Sequence, residues 1–126
     1  MRTYFKKRYN SFKFAFRGLN SAIRSEPHMR LHALSTVGVV VAGFLCGVTK
    51  IEWCLLLGSI GLVFTAEIMN TALETLTNLV SPEWHQLAGK TKDLAAGAVL
   101  AASVTAAVIG AIIFLPYLLA FVKLYF

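Results

Sequence analysis

The sequence predicts an all-α membrane protein in which an N-terminal amphipathic surface helix precedes three transmembrane helices, and three observations carry that expectation. Of its 126 residues, 57% are hydrophobic and 14% charged, against about 25% charged in an ordinary soluble domain. Three long apolar stretches follow one another: 31–49, 51–66 with a polar continuation to 80, and 94–122. At about 1.5 Å per residue each is long enough to cross a hydrocarbon core of roughly 30 Å. The charges are also lopsided. Arg2, Lys6, Lys7, Arg8, Lys13, Arg17, Arg24 and Arg30 precede the first span, Lys90 and Lys92 join the second to the third, and Lys50 and Lys123 remain for the other side.

The positive-inside rule turns this asymmetry into an orientation, with the N-terminus and the 81–93 loop in the cytoplasm and the C-terminus outside. The net charge of +6 is then accounted for by topology and by attraction to anionic headgroups, so no nucleic-acid partner is expected. Residues 1–30 are broken by charge throughout and lack the apolar run and cleavage site of a signal peptide. The whole chain, 1–126, reads as one domain.

The elements follow in order. Phe5, Tyr9, Phe12, Phe16, Leu19 and Ile23 recur at steps of four and three, which lines them along one face of a helix over 1–25. Lys6, Lys7, Lys13, Arg17 and Asn20 take the other faces, the pattern of a helix lying in the membrane interface. Ser25-Glu26-Pro27 supplies a cap and an early proline, opening the first span at 27–49. Lys50 and Glu52 interrupt the apolar run briefly, leaving a short external hairpin with Trp53 near the interface. The second span, 51–80, ends at Ser81-Pro82-Glu83, where the same cap and proline logic starts a cytoplasmic segment through Asp93. In the third span, 94–122, Ala98, Ala102, Ala106 and Gly110 recur at four-residue steps, which permits close helix approach and oligomerisation. Cys46 and Cys54 lack CxxC spacing and read as buried thiols.

The second span changes character along its length. Glu67, Asn70, Glu74 and Asn78 follow at spacings of three, four and four, on one helical face. Ionisable residues in a membrane helix are costly and usually functional. Glu67 falls about 24 Å along the span from Ile51, near the cytoplasmic end, and Glu74 about 10 Å further, in the headgroup zone. Glu26 at the mouth of the first span and Lys92-Asp93 at the mouth of the third fall at the same level. Carboxylates able to share a hard divalent cation, beside a lysine and a carboxamide, are what phosphoryl transfer from Mg-ATP requires. Taken singly, Glu26 reads as a helix-terminus charge and Lys92-Asp93 as a solvated pair; the Glu67, Asn70, Glu74 face is harder to read as structural. His28, His32 and His85 have no metal-ligand spacing and read as interfacial or hydrogen-bonding groups. Gly89-Lys90-Thr91 is similar to the end of a P-loop, but its first glycine would fall at Trp84 and no strand precedes it, so that reading fails.

The runs Glu67-Ile68-Met69-Asn70-Thr71-Ala72-Leu73-Glu74 and Lys92-Asp93-Leu94-Ala95-Ala96-Gly97-Ala98-Val99-Leu100 resemble the signature of the prokaryotic diacylglycerol kinase and undecaprenol kinase family. The resemblance covers nearly the whole chain, including Gly18, Glu26, Arg30-x-His32, Glu52-Trp53 and the 110–116 stretch. It implies a lipid kinase of the bacterial cytoplasmic (inner) membrane, a homotrimer of three-span subunits with active sites between neighbours at the cytoplasmic interface, ATP as co-substrate and Mg2+ as cofactor. By the same resemblance Glu67 is the catalytic base, Glu26 and Glu74 are metal ligands that also contact the nucleotide, and Asn70, Lys92 and Asp93 surround it. Glu83, Trp84 and His85 match a nucleotide-contacting stretch, and Lys7 and Phe14 stand where the enterobacterial enzyme has arginine and tyrosine near ATP. Asn78 departs from the family's aspartate.

For the lipid, the resemblance implies Arg30, His32, Glu67 and Ala96. Arg30-x-His32, Glu52-Trp53 and Ala95-Ala96-Gly97 are more similar to undecaprenol kinases than to enterobacterial diacylglycerol kinases, so undecaprenol is the expected alcohol and diacylglycerol the alternative. Outside the kinases, a small proton-coupled transporter would need a carboxylate near midplane with access from both sides, and a silent scaffold would tolerate loss of Glu67 and Glu74. Clustering of the polar groups at one end favours surface chemistry over passage.

Overall fold

In the computed structural model the chain forms four helices in the order α1 (Arg2–Ser25), α2 (Pro27–Cys46), α3 (Lys50–Val80) and α4 (Gln86–Tyr125). The structure describes residues 1–125; Phe126, the last residue of the expected domain, lies outside the described residues, as do the side chains of Arg2, Thr3 and Tyr125. Helices α2, α3 and α4 are each long and apolar enough to cross a membrane. The chain is therefore an all-α multi-pass membrane protein.

The expected boundaries shift at two joints. The first span ends at Cys46 instead of residue 49 because Gly47 takes a left-handed conformation (φ 65°, ψ 38°), open to glycine at no steric cost. The Val48 and Gly47 N–H groups turn back onto the Gly43 and Phe44 carbonyls, satisfying orphan acceptors of the helix end. Between α3 and α4 the expected 81–93 loop is only 81–85, since α4 already begins at Gln86. At the α1–α2 corner the cap of α2 is Glu26, whose side chain makes no capping hydrogen bond, with Pro27 as first helical residue. Arg30 secures this corner: its guanidinium donates to the Ile23 and Arg24 carbonyls at the end of α1.

Helix α3 packs most extensively against α4, and α2 joins them more loosely. Leu56, Ser59, Val63 and Glu67 form the buried face of α3, while Ala95, Ala102 and Ile113 are the buried positions of α4. The small-residue stripe is thus partly used, with Ala102 buried, Ala106 and Gly110 half-buried and Ala98 exposed. Both cysteines depart from expectation: Cys46 is half-buried and Cys54 exposed, because Cys54 lies on the side of α3 turned away from its partners.

The outer ends of α3 and α4 are tied by polar contacts. Thr49 and Glu52 form a capping box, in which Glu52 Oε2 accepts from the Thr49 N–H (2.7 Å) and the Thr49 hydroxyl (2.8 Å). The same oxygen accepts from the Tyr117 hydroxyl of α4 at 2.9 Å. Below it the Trp53 ring lies 5.0 Å from Phe44 and covers Gly43 of α2. A Cβ on Gly43 would come within 2.7 Å of Trp53 Cη2.

Overpacking of that kind costs about 1–3 kcal/mol, so Gly43→Ala lowers the thermal midpoint of the purified protein. Gly58→Ala, where a Cβ meets nothing within 4 Å, does not. Equal midpoints in a thermal unfolding assay would show that Trp53 does not close on Gly43.

Candidate active site

The polar face of α3 emerges from the bundle as it approaches the C-terminal end of the helix. Glu67 is 3% exposed; one turn further on Asn70 is half-buried, and two and three turns on Glu74 and Asn78 are exposed. Residues at these steps of three and four share a face. The Thr71 hydroxyl donates to the Glu67 carbonyl at 3.0 Å. Among the described residues no hydrogen bond or ion pair reaches the Glu67 carboxylate. A buried acid left without a partner in an apolar bundle is held there at a cost.

Glu74 does have a partner: Lys92 Nζ of α4 lies 3.9 Å from Glu74 Oε1, both side chains being substantially exposed. The pair joins the C-terminal end of α3 to the N-terminal end of α4. Beside it Thr77, Asn78, Glu83, Trp84, His85 and Lys92 line a cavity of about 240 Å³. The connection between the helices shapes that cavity: the Ser81 hydroxyl donates to the Glu83 carbonyl at 3.1 Å, and His85 Nδ1 accepts from the Leu87 N–H at 3.2 Å. Glu74, Glu83, Trp84, His85 and Lys92 are brought together in this way, and Asp93, next to Lys92, is exposed.

Other expected site residues lie apart. Lys7 and Phe14 are exposed on α1, with Lys7 in a shallow cleft beside Tyr4, Arg8 and Ser11. Glu26 stands half-buried at the α1–α2 corner, and among the described residues no three His, Cys, Asp or Glu side chains gather as a metal site. Of the residues expected at the lipid, His32 lines an apolar groove of about 360 Å³ between α2, α3 and α4, with Val63 and Phe64 among its walls. Glu67 is one turn from Val63 on the same face of α3. Arg30 is committed to the carbonyls of α1, and Ala96 is exposed on α4.

Two features escaped sequence reasoning. The T-x-x-E pattern Thr49-Lys50-Ile51-Glu52 signals a capping box but reads at first as a polar interruption, and nothing in the sequence pairs Glu52 with Tyr117. The seven-residue step from His85 to Lys92 puts both on one face of α4, a signal that becomes readable once the start of that helix is known.

Burial without a partner has a measurable consequence. Replacing Glu67 by its neutral isostere removes the cost of a buried charge, so Glu67→Gln is expected to leave the thermal midpoint equal or higher. Glu74→Gln breaks only an exposed pair, which contributes little to stability, and should leave it unchanged. A clear drop for Glu67→Gln would mean that the carboxylate has a stabilising partner.

Comparison with known proteins gives one consistent result. The family model described as prokaryotic diacylglycerol kinase matches residues 13–114. The chain is 39% identical to an undecaprenol kinase of Bacillus subtilis, over 87% of this chain and 89% of that protein. It is 37% identical to a diacylglycerol kinase of Synechocystis over 86% of this chain and 63% of the relative. It is 34% identical to a diacylglycerol kinase of Haemophilus influenzae over 83% and 90%.

Proposed function

The chain belongs to the prokaryotic diacylglycerol kinase family and is a membrane lipid kinase, and from that premise we propose that it phosphorylates undecaprenol with ATP at the cytoplasmic face of the bacterial inner membrane. The observation that carries the chemistry is the buried, unpartnered Glu67 beside the exposed Glu74–Lys92 pair. The preference for a polyprenol is supported by the similarity to the Bacillus subtilis undecaprenol kinase. Diacylglycerol is the second reading, favoured by the names of the other relatives.

In this reading the Glu67 carboxylate takes the proton of the lipid hydroxyl as its oxygen attacks the γ-phosphorus of ATP. The new oxygen–phosphorus bond forms while the bond to the bridging oxygen breaks, and ADP leaves. Burial suits the base to this task, since the alcohol is delivered from the hydrocarbon and meets the carboxylate there. Lys92 grips the phosphates, Asn70 and Asp93 orient them, and Glu83, Trp84 and His85 line the cavity on the nucleotide side. Lys7 and Phe14 reach the nucleotide from α1. His32 flanks the lipid in the groove near Glu67 and Ala96 meets it from the exposed side of α4, while Arg30, held on the carbonyls of α1, bears on the lipid through the corner it secures.

Mg2+ fits the donor chemistry, because that ion is bound by one or two carboxylates together with phosphate oxygens and water and needs no all-protein cage. Glu74 and Glu26 would hold it, and when bound it neutralises charge on the phosphates. These two side chains come from different elements, and α1 presents Lys7 and Phe14 far along its length from the corner. A homotrimer with sites shared between neighbouring subunits gathers such a set. It is also supported by the small share of apolar surface one chain hides: 11% of the membrane-spanning windows of α2 and α4 is buried within it.

The test is transfer of labelled phosphate from Mg-ATP by the purified protein, with undecaprenol and diacylglycerol offered in the same detergent. Transfer to both with undecaprenol preferred is expected, and Glu67→Gln should lower kcat by about 10²- to 10⁴-fold, the usual range for a general base. Clear preference for diacylglycerol would overturn the choice of lipid, and an undiminished Glu67→Gln the choice of base.

A further inference from the structure

The seam between α3 and α4 contains a histidine that caps a helix through its ring. The His85 carbonyl accepts the first turn-closing bond of α4, from the Gly89 N–H at 3.0 Å, and its ring Nδ1 accepts from the Leu87 N–H at 3.2 Å. Together these two bonds are what an N-cap residue makes: the carbonyl begins the helix and the side chain satisfies one of its four orphan donors. A backbone N–H can only donate. Nδ1 must therefore present a lone pair, so the ring is the neutral tautomer with its hydrogen on Nε2.

Lys92 lies seven residues on from His85, two turns along the same face and about 10 Å away along the axis. Both line the 240 Å³ cavity, and Lys92 lies 3.9 Å from Glu74 beside it. The first two turns of α4 thus carry Lys92 to its place, and among the described residues the only side-chain bond to the free N–H groups at the start of those turns is from His85. We infer that His85 is a positioning residue: its ring caps α4 through Nδ1 and holds Lys92 toward the phosphates, so that loss of the cap loosens the grip on ATP. This rests on the kinase reading and differs from direct contact between the imidazole and the nucleotide.

The experiment measures KM for ATP and kcat at pH 8 for the protein and for His85→Ala and His85→Asn, and reads the ring tautomer by nitrogen NMR of histidine-labelled protein, His85→Asn giving the assignment. Expected is a KM for ATP raised about fivefold in His85→Ala, the effect of one lost cap, with kcat little changed. His85→Asn, whose carboxamide oxygen accepts as the ring does, should recover most of that loss. The inference is overturned if His85→Asn is as impaired as His85→Ala, or if Nδ1 carries the hydrogen. Absence of any phosphate transfer would sink the kinase reading, while the NMR tautomer would still decide whether the ring caps α4.

Discussion

A carboxylate carried into a bilayer helix must be paired, neutralised or given a task, and the architecture of this chain is arranged around Glu67 in that position. Hydrocarbon offers no water to solvate a charge, so α3 carries no charged side chain between Glu52 and Glu67, and Asn70, Glu74 and Asn78 follow Glu67 toward the C-terminal end of the helix. Burial falls off along that face from Glu67 through Asn70 to Glu74. One helix therefore provides a gradient from a desolvated acid to a headgroup-level one, which suits a reaction joining a hydrocarbon-soluble alcohol to a water-soluble phosphate donor.

Such a gradient is useful only if α3 keeps its register against α4. Two polar ties set that register from opposite ends: the Glu52 carboxylate with the Tyr117 hydroxyl outside, and Glu74 with Lys92 inside. Between them Leu56 packs with Val48 and Ile113, and the small residues of α4 admit close approach. The outer tie joins a helix cap to an interhelical contact, since the same oxygen serves Thr49, so a slip of α4 would leave the Tyr117 hydroxyl without its acceptor. The inner tie is exposed and weaker, and there the short 81–85 connection and the His85 bond take over the work of alignment.

The spans and the polar face were legible in the sequence because each is a periodic or compositional signal: apolar length, and the 3–4 spacing of Glu67, Asn70, Glu74 and Asn78. Boundaries were less legible. Gly47 ends α2 through its left-handed conformation, and Gln86 opens α4 early because capping is done by a histidine, a residue type absent from the usual cap preferences. Pairings distant in sequence, such as Glu52 with Tyr117, leave no periodic trace. Arg30 reads as a lipid ligand by resemblance, whereas its guanidinium is engaged by backbone carbonyls at the end of α1.

That engagement bears on how much of the site one chain supplies. Glu26, Arg30 and Met29, which is fully buried, fix the angle at which α1 leaves the bundle, and α1 then carries Lys7 some eighteen residues away, about 27 Å at helical rise. A nucleotide held between Glu74 and Lys92 is far smaller than that span, so Glu26 and Lys7 of one chain cannot both touch it while α1 stays straight. Either Lys7 serves a different site from the Glu26 of its own chain, or it serves none. Sharing between subunits follows from the rigidity of a helix if both residues act, because a neighbour's α1 can bring its far end to a cavity whose near wall belongs to another copy.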